Sequence, residues 1–339
     1  MSSTFEQHLN EIVSELWEPP NHRDVYIVRD FVMNILKSNK VLTSTCSLKM
    51  VDFGSRPLGI HTSESNFNVM VLLKFPYIED ILVRPDQHRP GMVHLDFSRV
   101  PFNDFTDVLL DKRYYLKRNA VHNMMEVLLE NVHGCQFWGN RDYYKLQYSR
   151  CGDVHIITAK SRNHVLSIDF MPAIDIYYDG FYWEAVPKWA PGPKRSDKCT
   201  FMISAIEEEI FRFKQGGENI INAVVLLKAM CESKNLPKVC NYHLVSTAIG
   251  LISTEYYRNL SLQYVFLYLL EDLADAFDKD DLSYFCYEDL DLIPDFNTIE
   301  LNEYANALND AYMTLKTYPD QDRLSYGRCS SHFLAIFHD

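Results

Sequence analysis

Apolar residues recur at three- and four-residue spacing over residues 5–17 (Ile12, Leu16) and 24–38 (Val25, Ile27, Val28, Phe31, Ile35, Leu36). That period predicts two helices, separated by Pro19-Pro20. Shorter apolar runs follow. Residues 48–53 predict a strand that ends at Gly54-Ser55-Arg56-Pro57, and Phe67 to Phe75, rich in valine and leucine, predicts a second strand closed by Pro76. Helical spacing returns over 106–133 through Val108, Leu109, Leu110, Val121, Met124, Met125, Val127 and Leu128. Two more strands, near 153–159 and 165–176, flank the polar stretch Lys160 to His164 and predict a hairpin.

The proline-dense segment Pro187 to Lys194 reads as a crossover between lobes. Beyond it the strand signal largely disappears, and 201–213, 217–234, 242–253, 260–278 and 298–316 each carry a helical period. Strands in one block and helices in the next predict an α+β, bilobal fold. Its N-lobe, 1–195, has a mixed sheet with helices, and its C-lobe, 196–339, is all-α. No internal repeat is visible.

Composition narrows the function classes. At 47% hydrophobic and 23% charged the chain reads as globular. A net charge of −13 argues against a broad basic face for nucleic acid. The eight cysteines are scattered without a Cys-x-x-Cys pair, so reduced thiols in a cytoplasmic protein and no zinc are expected. No signal peptide is read at the start, and the longest apolar runs, such as Val69 to Leu73 and Ala223 to Leu227, are too short to span a bilayer. No membrane partner is therefore expected.

The candidate chemistry sits on the strands. Alternation puts Asn66 and Asn68 on one face and Phe67 on the other, beside the Gly54-Ser55 turn. A glycine lets backbone approach a phosphate closely, and a serine hydroxyl adds a donor; a polar strand start beside a tight turn needs no ligand at all. Asp169 is a carboxylate in the otherwise apolar run Leu166 to Pro172. Burial there requires a metal, a hydrogen-bond partner or an exposed strand end. Asp175 lies an even step away and shares its face.

A Gly-Ser turn, a strand opening on two oxygen-bearing side chains two apart and a later strand with one aspartate resemble the polymerase-β-like nucleotidyltransferases. Asn66-Phe67-Asn68-Val69-Met70 resembles the Glu-Phe-Asp-Val-Met of cyclic GMP-AMP synthase and its Mab-twenty-one-like relatives. Ser167 to Ile174 is similar to their third-acid strand, and Lys234 to His243 to their segment ending in Ser-Tyr-His. The likeness runs in order from about residue 20 to about residue 290. It implies ATP or GTP as partner and divalent magnesium or manganese held at positions 66, 68 and 169. By the same resemblance Ser55 and Lys228 would contact phosphates, Tyr242 would stack on a base, and Asp169 would orient the attacking hydroxyl. Lys198 stands where the family has an arginine at the nucleotide.

Two of the three expected acids are asparagines, so the local charge falls from about −3 to about −1 against about +4 on two ions. Metal binding is expected to be weak or lost, and catalysis impaired. Met202 and Ala205 replace polar family positions, and the cysteine cluster of a zinc thumb is missing between Phe213 and Lys228. Lys112, Arg113, Lys117 and Arg118 on one helix, with Lys188, Lys194 and Arg195, form modest basic segments, read first as solvated faces. Three functions stay open: a catalytically silent innate-immune sensor relative that binds nucleotide; an active cyclic-dinucleotide synthase whose asparagines are engineered; and a non-catalytic interaction protein. The activating ligand is open, double-stranded RNA among the candidates, and so is the oligomeric state. A Cys240–His243 nucleophile lacks an orienting acid.

Overall fold

The computed structural model describes residues 4–17, 23–62, 66–101, 104–140, 142–188, 198–321 and 323–334. Most of the expected crossover, residues 189–197 with Lys194 and Arg195, lies outside them. The chain gathers into two compact units. One holds Met1–Pro19, Ser55–Ser65 and Glu207–Asp339, the other Pro20–Gly54 and Asn66–Ile206. A single cut at residue 195 therefore differs from the observed grouping, because the first helix and a short excursion after Gly54 pack with the C-terminal helices.

The second unit is a mixed sheet clad by helices. Its strands, in chain order, are β1 (Ser47–Phe53), β2 (Phe67–Lys74), β3 (Leu82–Pro85), β4 (Met92–Asp96), β5 (Gln136–Trp138), β6 (Tyr143–Cys151), β7 (Val154–Lys160), β8 (Val165–Tyr178), β9 (Phe181–Val186) and β10 (Thr200–Ser204). They run in the order β3-β4-β10-β9-β8-β7-β6-β5, and β2, carrying β1 on its outer side, branches from β8. The β2–β8 pair is parallel, and β1 pairs with β2 antiparallel. A strand in a parallel pair is covered on both faces, and Val69 to Leu73 are accordingly all buried. On helix Arg23–Ser38 the buried residues Val25, Val28, Val32 and Leu36 form the expected stripe. Arg29 of that helix donates from Nη1 to both oxygens of Asp52 on β1 at 3.0 Å.

Several elements differ from expectation. Residues 106–133 are two helices, Asp104–Leu109 and Arg118–Glu130, not one. Lys112 and Arg113 therefore lie before the second helix, and Arg118 is fully buried. Its Nη1 donates to the Thr200 carbonyl at 3.0 Å and to Thr200 Oγ1 at 2.9 Å. A buried guanidinium bonded in this way is a structural clasp, and no part of a solvated basic face. The expected helix 201–213 is strand β10 followed by helix Ile206–Gln215. Five alternating residues joined to a longer helical period were absorbed into that period. Strands β3 to β6 and β9 carried no sequence signal strong enough to be predicted.

Beneath the sheet lies a chain of polar groups with one consistent proton order. The Pro187 carbonyl can only accept, so His122 Nε2 donates to it (2.6 Å) and His122 Nδ1 is an acceptor. His155 Nε2 then donates to His122 Nδ1 (3.2 Å), and the Tyr148 hydroxyl donates to His155 Nδ1 (2.8 Å). Both imidazoles are buried.

The first unit is helical: Phe5–Leu16, Ser55–Leu58, Ile206–Gln215 from Glu207 onward, Gly217–Ser233, Asn241–Ser253, Leu262–Lys279, Thr298–Leu315 and Tyr326–Ser330, with one small hairpin, Ser283–Tyr284 against Tyr287–Asp291. Helix Gly217–Ser233 is apolar nearly all round and forms the centre of the core, where Leu226, Leu227 and Met230 are buried with Phe266 and Phe277. The Phe5–Leu16 helix begins with a Thr4–Gln7 capping box. Glu6 caps a second helix, accepting from the Leu262 and Gln263 amides at 3.0 and 2.8 Å. Phe5 meets Tyr318 edge-on at 5.5 Å, and His8 Nε2 bonds the Leu324 carbonyl at 3.0 Å. Among the described residues no helix is long and apolar enough to cross a membrane.

Burial pushes His122 down, though the Pro187 carbonyl and Asp153 pull it back up. Burial, with His122 and Arg150 adding to it, pushes His155 down from 6.5 to about 3. The folded chain thus stays neutral there while the unfolded chain takes up protons below about pH 6.5. This contribution to stability is complete above pH 6.5 and is lost as pH falls from there toward the native values. Urea unfolding should show stability falling by up to about 1.4 kcal/mol per pH unit from His155 between pH 6 and 4, with His122 acting in the same direction. A His122→Gln, His155→Gln chain should be less stable at pH 7.5 but flatter over that range. An unchanged slope would refute the reading.

Candidate functional site

On the sheet unit the site is set by register. Asn68 on β2 is the parallel partner of Asp169 on β8, and Asn68 is also paired with Phe53 on β1. Asp169 lies opposite Ile156 of β7 on its other side, so this part of β8 is flanked by strands on both edges. Asn66, just before β2, turns its amide toward that carboxylate and donates from Nδ2 to Asp169 Oδ2 at 3.2 Å. A carboxylate oxygen can only accept, so the amide nitrogen must face it. Burial pushes the Asp169 carboxyl above its ordinary range, and the Asn66 hydrogen bond draws it back.

The turn before the site is equally constrained. Gly54 has φ +79°, and a Cβ added there would stand 2.8 Å from Asn68 Nδ2. The left-handed backbone demands glycine, and any Cβ there would also have to displace the end of the Asn68 side chain. Further along the same face, Asp175 pairs with Lys74 Nζ at 3.5 Å. Lys198 is exposed. Its carbonyl accepts from the Arg118 amide at 2.8 Å, and its side chain lines a groove with Lys117. Met202 is half-buried in β10 and Ala205 is buried just after it.

On the helical unit, Ser55 opens the short helix Ser55–Leu58 and is 3% exposed, with its carbonyl accepting from the Ile60 amide at 2.9 Å. Lys228 is the half-buried cation of the central helix, and its Nζ donates to Thr62 Oγ1 at 3.4 Å. The pairing with Thr62 was not read from the sequence, since only the fold brings the two together. Tyr242 is half-buried in the first turn of Asn241–Ser253 and meets Tyr284 edge-on at 6.4 Å.

Cys240 and His243 close the cap of that same helix. The Cys240 amide donates to His243 Nδ1 at 3.0 Å, and His243 Nε2 donates to the Leu292 carbonyl at 2.8 Å. Burial pushes the Cys240 thiol up, but His243 and backbone amides outweigh it and hold it at about 7. With both ring nitrogens bonded to backbone, the imidazole is a structural cap and not a general base. Among the described residues no group of three or more His, Cys, Asp or Glu side chains could hold a metal ion.

Residues 60–202 match the Mab-21 protein nucleotidyltransferase domain. Over 312 residues the chain is 24% identical to the cyclic GMP-AMP synthase-like receptor 1 of Drosophila melanogaster, covering 81% of this chain and 82% of that protein. It is 25% identical over 285 residues to the cyclic GMP-AMP synthase-like receptor of Lucilia cuprina, covering 75% and 76%. Receptor 2 of Drosophila melanogaster aligns at 24% over 273 residues, 68% of this chain and 58% of that protein. The chain is thus similar over residues 60–202 to the Mab-21 nucleotidyltransferase domain, and over most of its length to cyclic GMP-AMP synthase-like receptors. At the positions where the sequence resemblance implies the first two acids, this chain has Asn66 and Asn68.

Gly54→Ala should lower stability by about 1–2 kcal/mol from the left-handed backbone alone, with a further loss from the clash with Asn68. A double-mutant cycle with Asn68→Ala checks this by urea unfolding: the steric part should vanish in the Asn68→Ala background. A Gly54→Ala cost within about 0.5 kcal/mol would contradict the close approach.

Proposed function

We propose that this chain is a nucleotide-binding, catalytically impaired member of the cyclic GMP-AMP synthase-like receptors. The observation that carries the reading is the Asn66 amide on the Asp169 carboxylate at 3.2 Å. Divalent ions in phosphoryl transfer clamp the attacking oxygen and the triphosphate, and magnesium requires hard, anionic oxygen in octahedral geometry. Here one carboxylate remains, and an N–H donor satisfies its oxygen where a cation would otherwise neutralise it. Asn68 contributes an amide that adds no charge against the ion. The donor set does not fit a pair of divalent ions, and no step is derived through them.

Nucleotide binding is the other half of the proposal. It rests on the family resemblance at Ser55, Lys228 and Tyr242, with ATP or GTP as the ligand. Lys228 is held by an alcohol and Tyr242 has an aromatic neighbour on one side, so a lysine cation and an aromatic face are present in ordered positions. Cytoplasmic location, and an activating nucleic acid such as double-stranded RNA, belong to this proposal as family expectations.

Thermal unfolding with ATP or GTP, with and without magnesium or manganese, tests it. Ligand at about 100 times its dissociation constant adds about 2.7 kcal/mol of stability. The expected result is a nucleotide-induced rise in midpoint that metal barely enlarges, with no cyclic dinucleotide formed. Asn66→Glu with Asn68→Asp should destabilise the chain in EDTA by crowding three carboxylates, and should make the nucleotide shift metal-dependent. A wild-type shift strongly enlarged by metal would overturn the impairment. No shift with any nucleotide would overturn binding and leave an interaction protein.

A further inference from the structure

One face of the sheet unit carries an apolar groove that the proposed nucleotide contacts Ser55, Lys228 and Tyr242 do not line. Its cavity is about 740 Å³, within the range of small-ligand sites. The floor is helix Arg118–Glu130, which presents Ala120, Met124, Val127 and Leu128 along one stripe at i, i+4, i+7 and i+8. Val41 and Val108, from helices Lys40–Thr45 and Asp104–Leu109, wall it. Val41, Val108 and Val127 are 57%, 69% and 65% exposed, so three β-branched apolar side chains stand in solvent around one groove. A single exposed valine is ordinary; a contiguous exposed set around a concavity marks a binding surface.

The groove is polarised along its length. Lys117 and Lys198 both line it, and the Arg118 amide bonded to the Lys198 carbonyl holds the two lysine backbones together at the start of the floor helix. No side chain caps that helix at Lys117, so the positive end of its dipole adds to the two ammonium groups. Val127 and Leu128 lie at the other end. From Lys117 to Leu128 the helix advances about 16 Å, the length of an extended dodecyl tail. In a chain of net charge −13, a local pair of lysines beside an apolar trough selects for one kind of ligand.

We propose that this groove binds a single-tailed anionic amphiphile, with its carboxylate between Lys117 and Lys198 and its acyl tail along Ala120, Met124 and Val127. The charge complementarity at one end and the dry stripe beyond it require head and tail in a single ligand. A wholly apolar ligand would leave the lysines unused, and a soluble anion would leave the valines exposed. The resemblance also puts Lys198 at a nucleotide position, but Lys117 and the apolar stripe take no part in that reading, and Ser55, Lys228 and Tyr242 do not line the groove.

The test is titration of the full chain with dansyl-undecanoate, followed by displacement with dodecanoate below its micelle concentration. Saturable one-to-one binding is expected. Lys117→Glu with Lys198→Glu should weaken it at least about tenfold, as the loss of two favourable charges implies. Val127→Asp, at a position too exposed to threaten folding, should do the same, and Ala120→Trp should abolish it. Dodecanol and dodecyltrimethylammonium should compete poorly. Absence of saturable binding, equal affinity across the variants, or dodecanol competing as well as dodecanoate would each overturn the proposal. So would a dimer of the wild-type chain that Val127→Asp dissociates, which would make the occupant a second copy.

Discussion

The parallel pairing of β2 with β8 is the interaction on which the rest of the site depends. It sets Asn68 beside Asp169, carries Asn66 to the mouth of the pair, and closes Asp169 between two neighbouring strands. A slip of one residue would turn each of these side chains to the opposite face. The register is held from both sides, by the apolar run Val69 to Leu73 that must stay covered and by β1, which is tied to helix Arg23–Ser38 through Arg29 and Asp52. The glycine turn before the site follows from the same constraint, because Asn68 occupies the space where any other side chain at 54 would begin.

Within that frame, amides beside one carboxylate behave differently from a cluster of carboxylates. Clustered carboxylates repel one another and are stable only when a cation sits among them. An amide beside a carboxylate needs no such ion, because its N–H satisfies the oxygen directly. One Asp169 oxygen is therefore satisfied as folded, and burial is the main influence on that carboxyl. The same economy is seen at Cys240 and His243, where two groups with reactive reputations are spent on capping a helix.

Much of this was legible in the sequence, and what was missed has identifiable causes. Helices with a clean stripe, such as Arg23–Ser38, were read to within a residue or two, as were β2, β7 and β8, whose apolar runs are long. Short strands such as β3, β5 and β10 have three to five residues, too few for a period to separate from their surroundings. Asn66, Asn68 and Asp169 could be singled out because alternation fixes the face of a strand residue. Arg118 could not: in the sequence it sits in a run of basic residues, and only the fold buries it against Thr200. The groove was hidden for a related reason. Met124, Val127 and Leu128 have the spacing of core residues, and nothing in that spacing tells which part of the stripe the rest of the fold leaves uncovered.

The helix Phe5–Leu16 is completed by groups far along the chain, its Glu6 lying 256 residues before Leu262. Phe5 lies against Tyr318, His8 bonds to the Leu324 carbonyl, and Glu6 caps a helix that begins at Leu262. Because chains emerge over many seconds, this amphipathic helix is made well before these partners and must be kept from aggregating in the interval. A chain truncated before residue 318 would lose the Tyr318 and Leu324 contacts of this helix and keep only its packing on Gly217–Ser233 and Leu262–Lys279.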